Sequence, residues 1–300
     1  MIVGAIGLTL AFTGTLTDSV AIPLMLLALL AMGAHSTFIG PIKYSILPQH
    51  LKREEVLSGT GLVEAGTYVA IMAGTIVAGF ISAEAAAVAV ICIACLGFLS
   101  SRQIPPAPPL GDERVVDYNP WRSSIKMVRD TMDKREVFYA ILAISFFWTI
   151  GAVLFIQFPP LAKNVLMASQ QVASLFLVVF SVGIAIGSVA INVLLKNTVS
   201  ARYAPVSVIC MGAMVAVFYF VCVAFNATLD GASALMDIAA FLAHPLAWAV
   251  LGSLLLIAIF GGMFVVPLYA FLTTKVHPSQ ASRTVAANNL VNAGAMVLGS

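Results

Sequence analysis

Charged side chains are almost absent from nine long stretches of this 300-residue chain, and that absence decides the solvent in which it folds. The stretches cover roughly residues 1–16, 20–47, 57–81, 85–99, 138–158, 172–195, 204–225, 246–272 and 285–300. A helix needs about 20 mostly apolar residues to cross ~30 Å of hydrocarbon, so most of these runs are predicted membrane spans. The first and last fall short and read as cut. Over the whole chain, 61% of residues are hydrophobic and 9% charged, where a water-soluble domain carries roughly 25% charged residues. A disordered chain, a nucleic-acid module and any fold with a wet outer surface are excluded on that ground.

The connectors set the orientation. Taken alternately, one set of loops holds 14 of the Lys and Arg residues and the other holds 1, and the rich set lies in the cytoplasm by the positive-inside rule. The alternation also supports the number of spans, because a missed or invented helix would scramble it. The one long connector, residues 102–136, opens with a stiff Pro-rich run from Ile104 to Pro109. Near its end Trp121, Ile125, Val128 and Met132 recur at helical spacing between charged residues. This is the pattern of an amphipathic helix on the inner leaflet; a solvated linker helix is the alternative.

Two short motifs repeat across that connector. Phe38-Ile39-Gly40-Pro41 returns as Phe264-Val265-Val266-Pro267, and Leu62-Val63-Glu64-Ala65-Gly66 returns as Leu290-Val291-Asn292-Ala293-Gly294. Internal repeats of this kind mark transporter folds. The second span then matches the eighth and the third the ninth, a repeat six helices long. The expected fold is all-α and transmembrane, with two six-helix bundles of which about nine helices are present. Residues 1–101 form part of the first bundle, 102–136 the cytoplasmic linker, and 137–300 part of the second.

The stretch from Ser36 to Pro48, followed by Leu62-Val63-Glu64-Ala65-Gly66-Thr67, resembles the lysophospholipid transporter branch of the major facilitator superfamily. So does Phe264-Val265-Val266-Pro267-Leu268 followed by Ala286-Ala287-Asn288-Asn289-Leu290. The resemblance extends over essentially the whole chain. It implies a multi-pass protein of the bacterial inner membrane that moves lysophospholipids, chiefly lysophosphatidylethanolamine, to the cytoplasmic face. An acyltransferase with an acyl-carrier-protein synthetase restores the second chain there, and in some relatives both are fused after the last helix. Free-standing members carry a cation where this chain has Phe155, and Gln157-Phe158-Pro159 is more like the fused form.

Glu64 is the one acid well inside a predicted span, and Lys43 sits near the inner end of the preceding span. A charge within a bilayer is costly and is a functional candidate by default. With a lipid cargo, Lys43 would meet the phosphate and pair with Glu64, while Glu64 would attract the headgroup amine or carry a proton. Alternatively Lys43 snorkels to the interface and Glu64 caps its helix start or is satisfied by a hydroxyl. Gln157, Asn192, Asn288, Asn289 and Asn292 are uncharged polar residues in or beside spans, suited to headgroup oxygens or to tying helices together. Lys43, Glu64, Gln157, Asn288 and Asn292 are the candidate substrate contacts.

Small residues at Gly66, Ala70, Gly74 and Ala78 form a candidate packing seam. Cys92 and Cys95 have redox spacing, but no second pair or His cluster accompanies them, so core packing is the reading. There is no phosphate-binding Gly-Lys-Ser/Thr loop and no four-residue His-to-Asp acyltransferase spacing. No enzyme, metal or cofactor is expected, and the partners are the lysophospholipid and membrane lipids, not nucleic acid. The rival reading is a proton-coupled superfamily transporter of another amphiphile or drug; a membrane acyltransferase component is disfavoured.

Overall fold

The computed structural model describes residues 18–78, 81–107, 118–196, 198–229 and 234–299. The apolar stretch at 1–16 lies outside these residues. In chain order the helices are α1 (Asp18–Ser45), α2 (Leu47–His50), α3 (Val56–Ala78), α4 (Ala83–Ser101), α5 (Pro120–Met132), α6 (Arg135–Pro160), α7 (Gln170–Leu195), α8 (Ala204–Ala227), α9 (Ile238–Ala243), α10 (Ala247–Thr274) and α11 (Pro278–Gly299), with a π turn at Leu161–Val165 after α6. Six helices among the described residues are long and apolar enough to cross a membrane: Ile22–His50, Val56–Gly74, Arg135–Val165, Gln170–Leu195, Ala204–Ala227 and Ala247–Thr274. The apolar helix at Ala85–Ser101 is shorter. Backbone groups in hydrocarbon must be satisfied within their own segment, which is why these runs are helices throughout.

The chain divides into two compact units, one drawn from Met1–Lys43 and Ile76–Pro109, the other from Tyr44–Thr75 and Leu110–Ser300. The division falls inside α1 and inside α3. In the first unit Ala28 and Ala87 are buried, while Leu26, Leu30, Leu96 and Phe98 are exposed, as on a surface that lipid wets.

The second unit is built around α10, which packs on α7 and α8 and also touches α6 and α11. Burial follows this central place: 61% of the most apolar window of α10 is buried, against 22% for α8. Contact between α7 and α10 is close because glycines line it. A methyl at Gly187 would stand 2.0 Å from the Ile259 carbonyl oxygen, and one at Gly262 would stand 2.6 Å from the Ile184 carbonyl oxygen. On α3, a methyl at Gly66 or Gly74 of the candidate seam would meet no described residue within 4 Å.

At the far end of α6, Pro159 and Pro160 withhold two backbone donors, and the helix gives way to the π turn. A ladder of Phe158, Phe176, Phe241 and Phe225 fills the space behind it, with ring centroids 5.6 to 6.0 Å apart. The last apolar run proves to be a longer helix than expected. It begins at Pro278, since proline is tolerated in a first turn, and its early polar turn hides it from a hydropathy reading.

Candidate functional site

Within the second unit, the end of α1, the middle of α3 and three helices of the later half meet around buried polar side chains. Glu64 on α3 is 1% exposed. Its carboxylate accepts a hydrogen bond from the Tyr44 hydroxyl at the end of α1. One helical turn on, Tyr68 is equally buried and lies within electrostatic range of Glu64 and Tyr269. The Tyr44 ring stacks on that of Tyr269 from α10, with centroids 4.6 Å apart and planes 8° from parallel. Offset stacking of this kind adds roughly 0.5–1.5 kcal/mol beyond area burial.

The far side of Tyr269 is wired to α6 and α11. Trp148 Nε1 donates to the Tyr269 hydroxyl at 2.8 Å, and the side chains of Asn288 and Asn292 also interact with that hydroxyl. Ser145 Oγ donates to Asn292 Oδ1 at 2.6 Å. Asn288 is fully buried, its Nδ2 reaches Asn289 Oδ1 only at 3.5 Å, and its Oδ1 has no hydrogen-bond partner. An unsatisfied buried acceptor costs about 1–3 kcal/mol. Nearly every buried polar atom is paired in folded proteins; among the described residues Asn192 Oδ1 and the Ser169 and Ser181 hydroxyls share this state with Asn288 Oδ1.

Three of the five sequence-selected residues, Glu64, Asn288 and Asn292, come together around Tyr269. Lys43 is on the last turn of α1, half-buried, in the first unit. Gln157 stands apart. It is nine residues beyond Trp148 on α6, roughly 13 Å along the axis, and is exposed beside a recess of about 370 Å3 lined also by Leu154, Phe158, Asn164 and Phe218. Asn192 faces the α3 backbone: its Nδ2 donates to the Ser188 carbonyl at 2.9 Å and would meet a methyl at Gly61 at 2.5 Å. That is a helix-packing place.

Sequence reasoning passed over Tyr44, Tyr68, Tyr269, Trp148 and Ser145. A signal for the first three existed. Tyr44 and Tyr269 follow the repeated prolines Pro41 and Pro267 by three and two residues, and Tyr68 is four residues after Glu64, on the same helix face. The repeated motifs thus meet each other: Tyr44 stacks on its near-counterpart Tyr269, and Glu64 and its counterpart Asn292 both act on Tyr269.

Among the described residues no group of three or more His, Cys, Asp or Glu could hold a metal ion. The four cysteines are free thiols. The cluster brings together a carboxylate, phenol hydroxyls and amides.

A protein of Serratia proteamaculans called lysophospholipid transporter LplT is 27% identical over 279 residues, covering 89% of this chain and 63% of the relative. Proteins of the same name from Klebsiella pneumoniae and Photorhabdus laumondii are 24% and 25% identical, covering 89% and 83% of this chain and 63% and 58% of theirs. The chain thus spans a little under two thirds of the length of the curated relatives it matches. No solved structure matches it. Residues 1–300 match the Major Facilitator Superfamily; with its membrane-length helices and repeated motifs, the chain is a multi-pass membrane protein that belongs to that superfamily.

Proposed function

We propose that this protein moves lysophospholipids across the bacterial inner membrane, to the cytoplasmic face where the missing acyl chain is restored. The observation that carries the reading is the Asn288 carbonyl oxygen, buried without a partner on a side chain that reaches Tyr269, whose ring stacks on the Tyr44 that donates to Glu64. A zwitterionic headgroup supplies what such a site lacks: an ammonium or hydroxyl to donate to Asn288 and Glu64, and a phosphate for Lys43 and the tyrosine hydroxyls. The name shared by the relatives supports the cargo.

In this scheme residues 1–101 and 137–300 belong to two bundles joined by the 102–136 linker, and the acyl tail stays on the lipid side while the headgroup passes between them. Lys43 meets the phosphate, and Glu64 attracts the headgroup amine or carries a proton. Gln157 serves at the opposite end of α6 as a first contact. The reacylating partner is an acyltransferase with an acyl-carrier-protein synthetase, in a separate chain or fused downstream.

The test is transfer of labelled lysophosphatidylethanolamine between leaflets of vesicles holding the purified protein. Glu64→Gln is expected to slow it at least several-fold, and Asn288→Ala to do likewise. Transfer unaffected by Glu64→Gln removes that residue from the path. Absence of lysophospholipid transfer, with uptake of another amphiphile instead, overturns the cargo.

A further inference from the structure

We infer that α5 is a seat for anionic lipid on the cytoplasmic leaflet, holding acidic headgroups with Arg122, Lys126 and Arg129 while Trp121 and Ile125 enter the acyl boundary. Only part of the apolar stripe on this helix is used by the protein. Val128 and Met132 are half-buried where α5 packs on α11 and α6. Trp121 and Ile125 on the same stripe are 80% and 67% exposed. At 100° per residue, Ile125 lies about 40° round the helix from Trp121, Arg129 and Arg122 about 80° and 100°, and Lys126 about 140°. Two large apolar side chains thus border directly on three cations, all of them exposed. A helix that bound only to protein or water would have no use for that border; one lying in a bilayer interface does.

Charge complementarity selects the occupant. The connector carrying α5 holds the most Lys and Arg of any in the chain, seven from Arg102 to Arg135 against five Asp and Glu, and the positive-inside rule places it against the cytoplasmic leaflet with its acidic lipids. The acid on this helix, Asp130, lines a recess with Lys134 and with Arg283 of α11 on one side and borders Arg122, Lys126 and Arg129 on the other. The outward face thus carries three cations against one acid. Asn119 caps the helix, accepting from the Arg122 backbone N–H at 3.1 Å, so the segment is a preformed helix and does not fold on contact. Its other face rests on α11, which carries Asn288 and Asn292, so a lipid held here bears on the helix that builds the buried cluster.

The experiment uses the full chain in vesicles, with Trp148 and Trp248 replaced by Phe so that Trp121 alone reports. Its emission is quenched in turn by brominated phosphatidylglycerol and brominated phosphatidylcholine at equal mole fraction. Phosphatidylglycerol is expected to quench several-fold more strongly, since each basic residue near an acidic surface is worth roughly a fivefold preference. The difference shrinks at high salt, disappears in R122Q/K126Q/R129Q, and survives in R122K/K126R/R129K, which keeps the charge. Equal quenching by the two lipids overturns the anionic preference. Absence of quenching by either overturns the seat, and a preference that persists in R122Q/K126Q/R129Q overturns the assignment to these residues.

Discussion

A single hydroxyl shows how the buried cluster is held. Ser145 donates across to Asn292 Oδ1, whereas Ser253, also buried, turns its hydroxyl back to Ala249 and Val250 of its own helix. Removing the first leaves a buried carbonyl oxygen unsatisfied between two helices; removing the second returns a backbone acceptor that already serves the helix. Ser145→Ala should cost about 1 kcal/mol, the low end of the range for a lost buried partner because hydrogen bonds between membrane helices average ~0.6 kcal/mol. Ser253→Ala should be nearly silent, and denaturant unfolding in detergent compares the two. Legibility at this scale followed charge. Glu64 stood out because a carboxylate in an apolar run is expensive, and Asn288 and Asn292 because amides in a span need partners. Tyr44, Tyr68 and Tyr269 did not, because an aromatic side chain in a membrane helix is as much at home against lipid as against a polar cluster, and only the fold decides between them.

Helices were legible where composition alone sets them. The predicted runs 204–225 and 246–272 become Ala204–Ala227 and Ala247–Thr274, since a bilayer permits little besides a helix of that length. What local sequence could not place was the closest helix contact. The four-residue spacing Gly66, Ala70, Gly74 resembles that of Gly183 and Gly187, yet only the second pair meets a neighbouring backbone, because spacing describes one surface and contact needs two. Gly187→Ala should therefore destabilise the protein by about 1–3 kcal/mol through overpacking against Ile259. Gly212→Ala on α8, where a methyl meets nothing within 4 Å, should be neutral or slightly stabilising, since alanine is the better helix former by about 1 kcal/mol. Thermal unfolding of the two variants in the same detergent separates packing from propensity. A Gly187→Ala protein as stable as the parent would mean that α7 and α10 do not approach this closely.

For the molecule as a whole, the distribution of cations sets which way the helices run. The connector holding α5 and the turn between α7 and α8 belong to the basic set of loops, while the connector from Asn226 to Pro245 holds no Lys or Arg. An even number of crossings between two loops puts them on one side, and an odd number puts them on opposite sides. From α5 to the loop after α8 the chain passes through α6, α7 and α8, so Ser123 and Ala234 must lie on opposite faces. With the four native cysteines replaced by Ala, a single cysteine at Ala234 should react with a membrane-impermeant maleimide in intact cells. One at Ser123 should react only after the membrane is opened. Labelling of both from outside would mean that one of α6, α7 and α8 fails to cross. The reverse pattern, Ser123 outside and Ala234 inside, would invert the whole protein, put the basic loops on the outer face, and move the proposed lipid seat on α5 away from the leaflet that carries the acidic lipids.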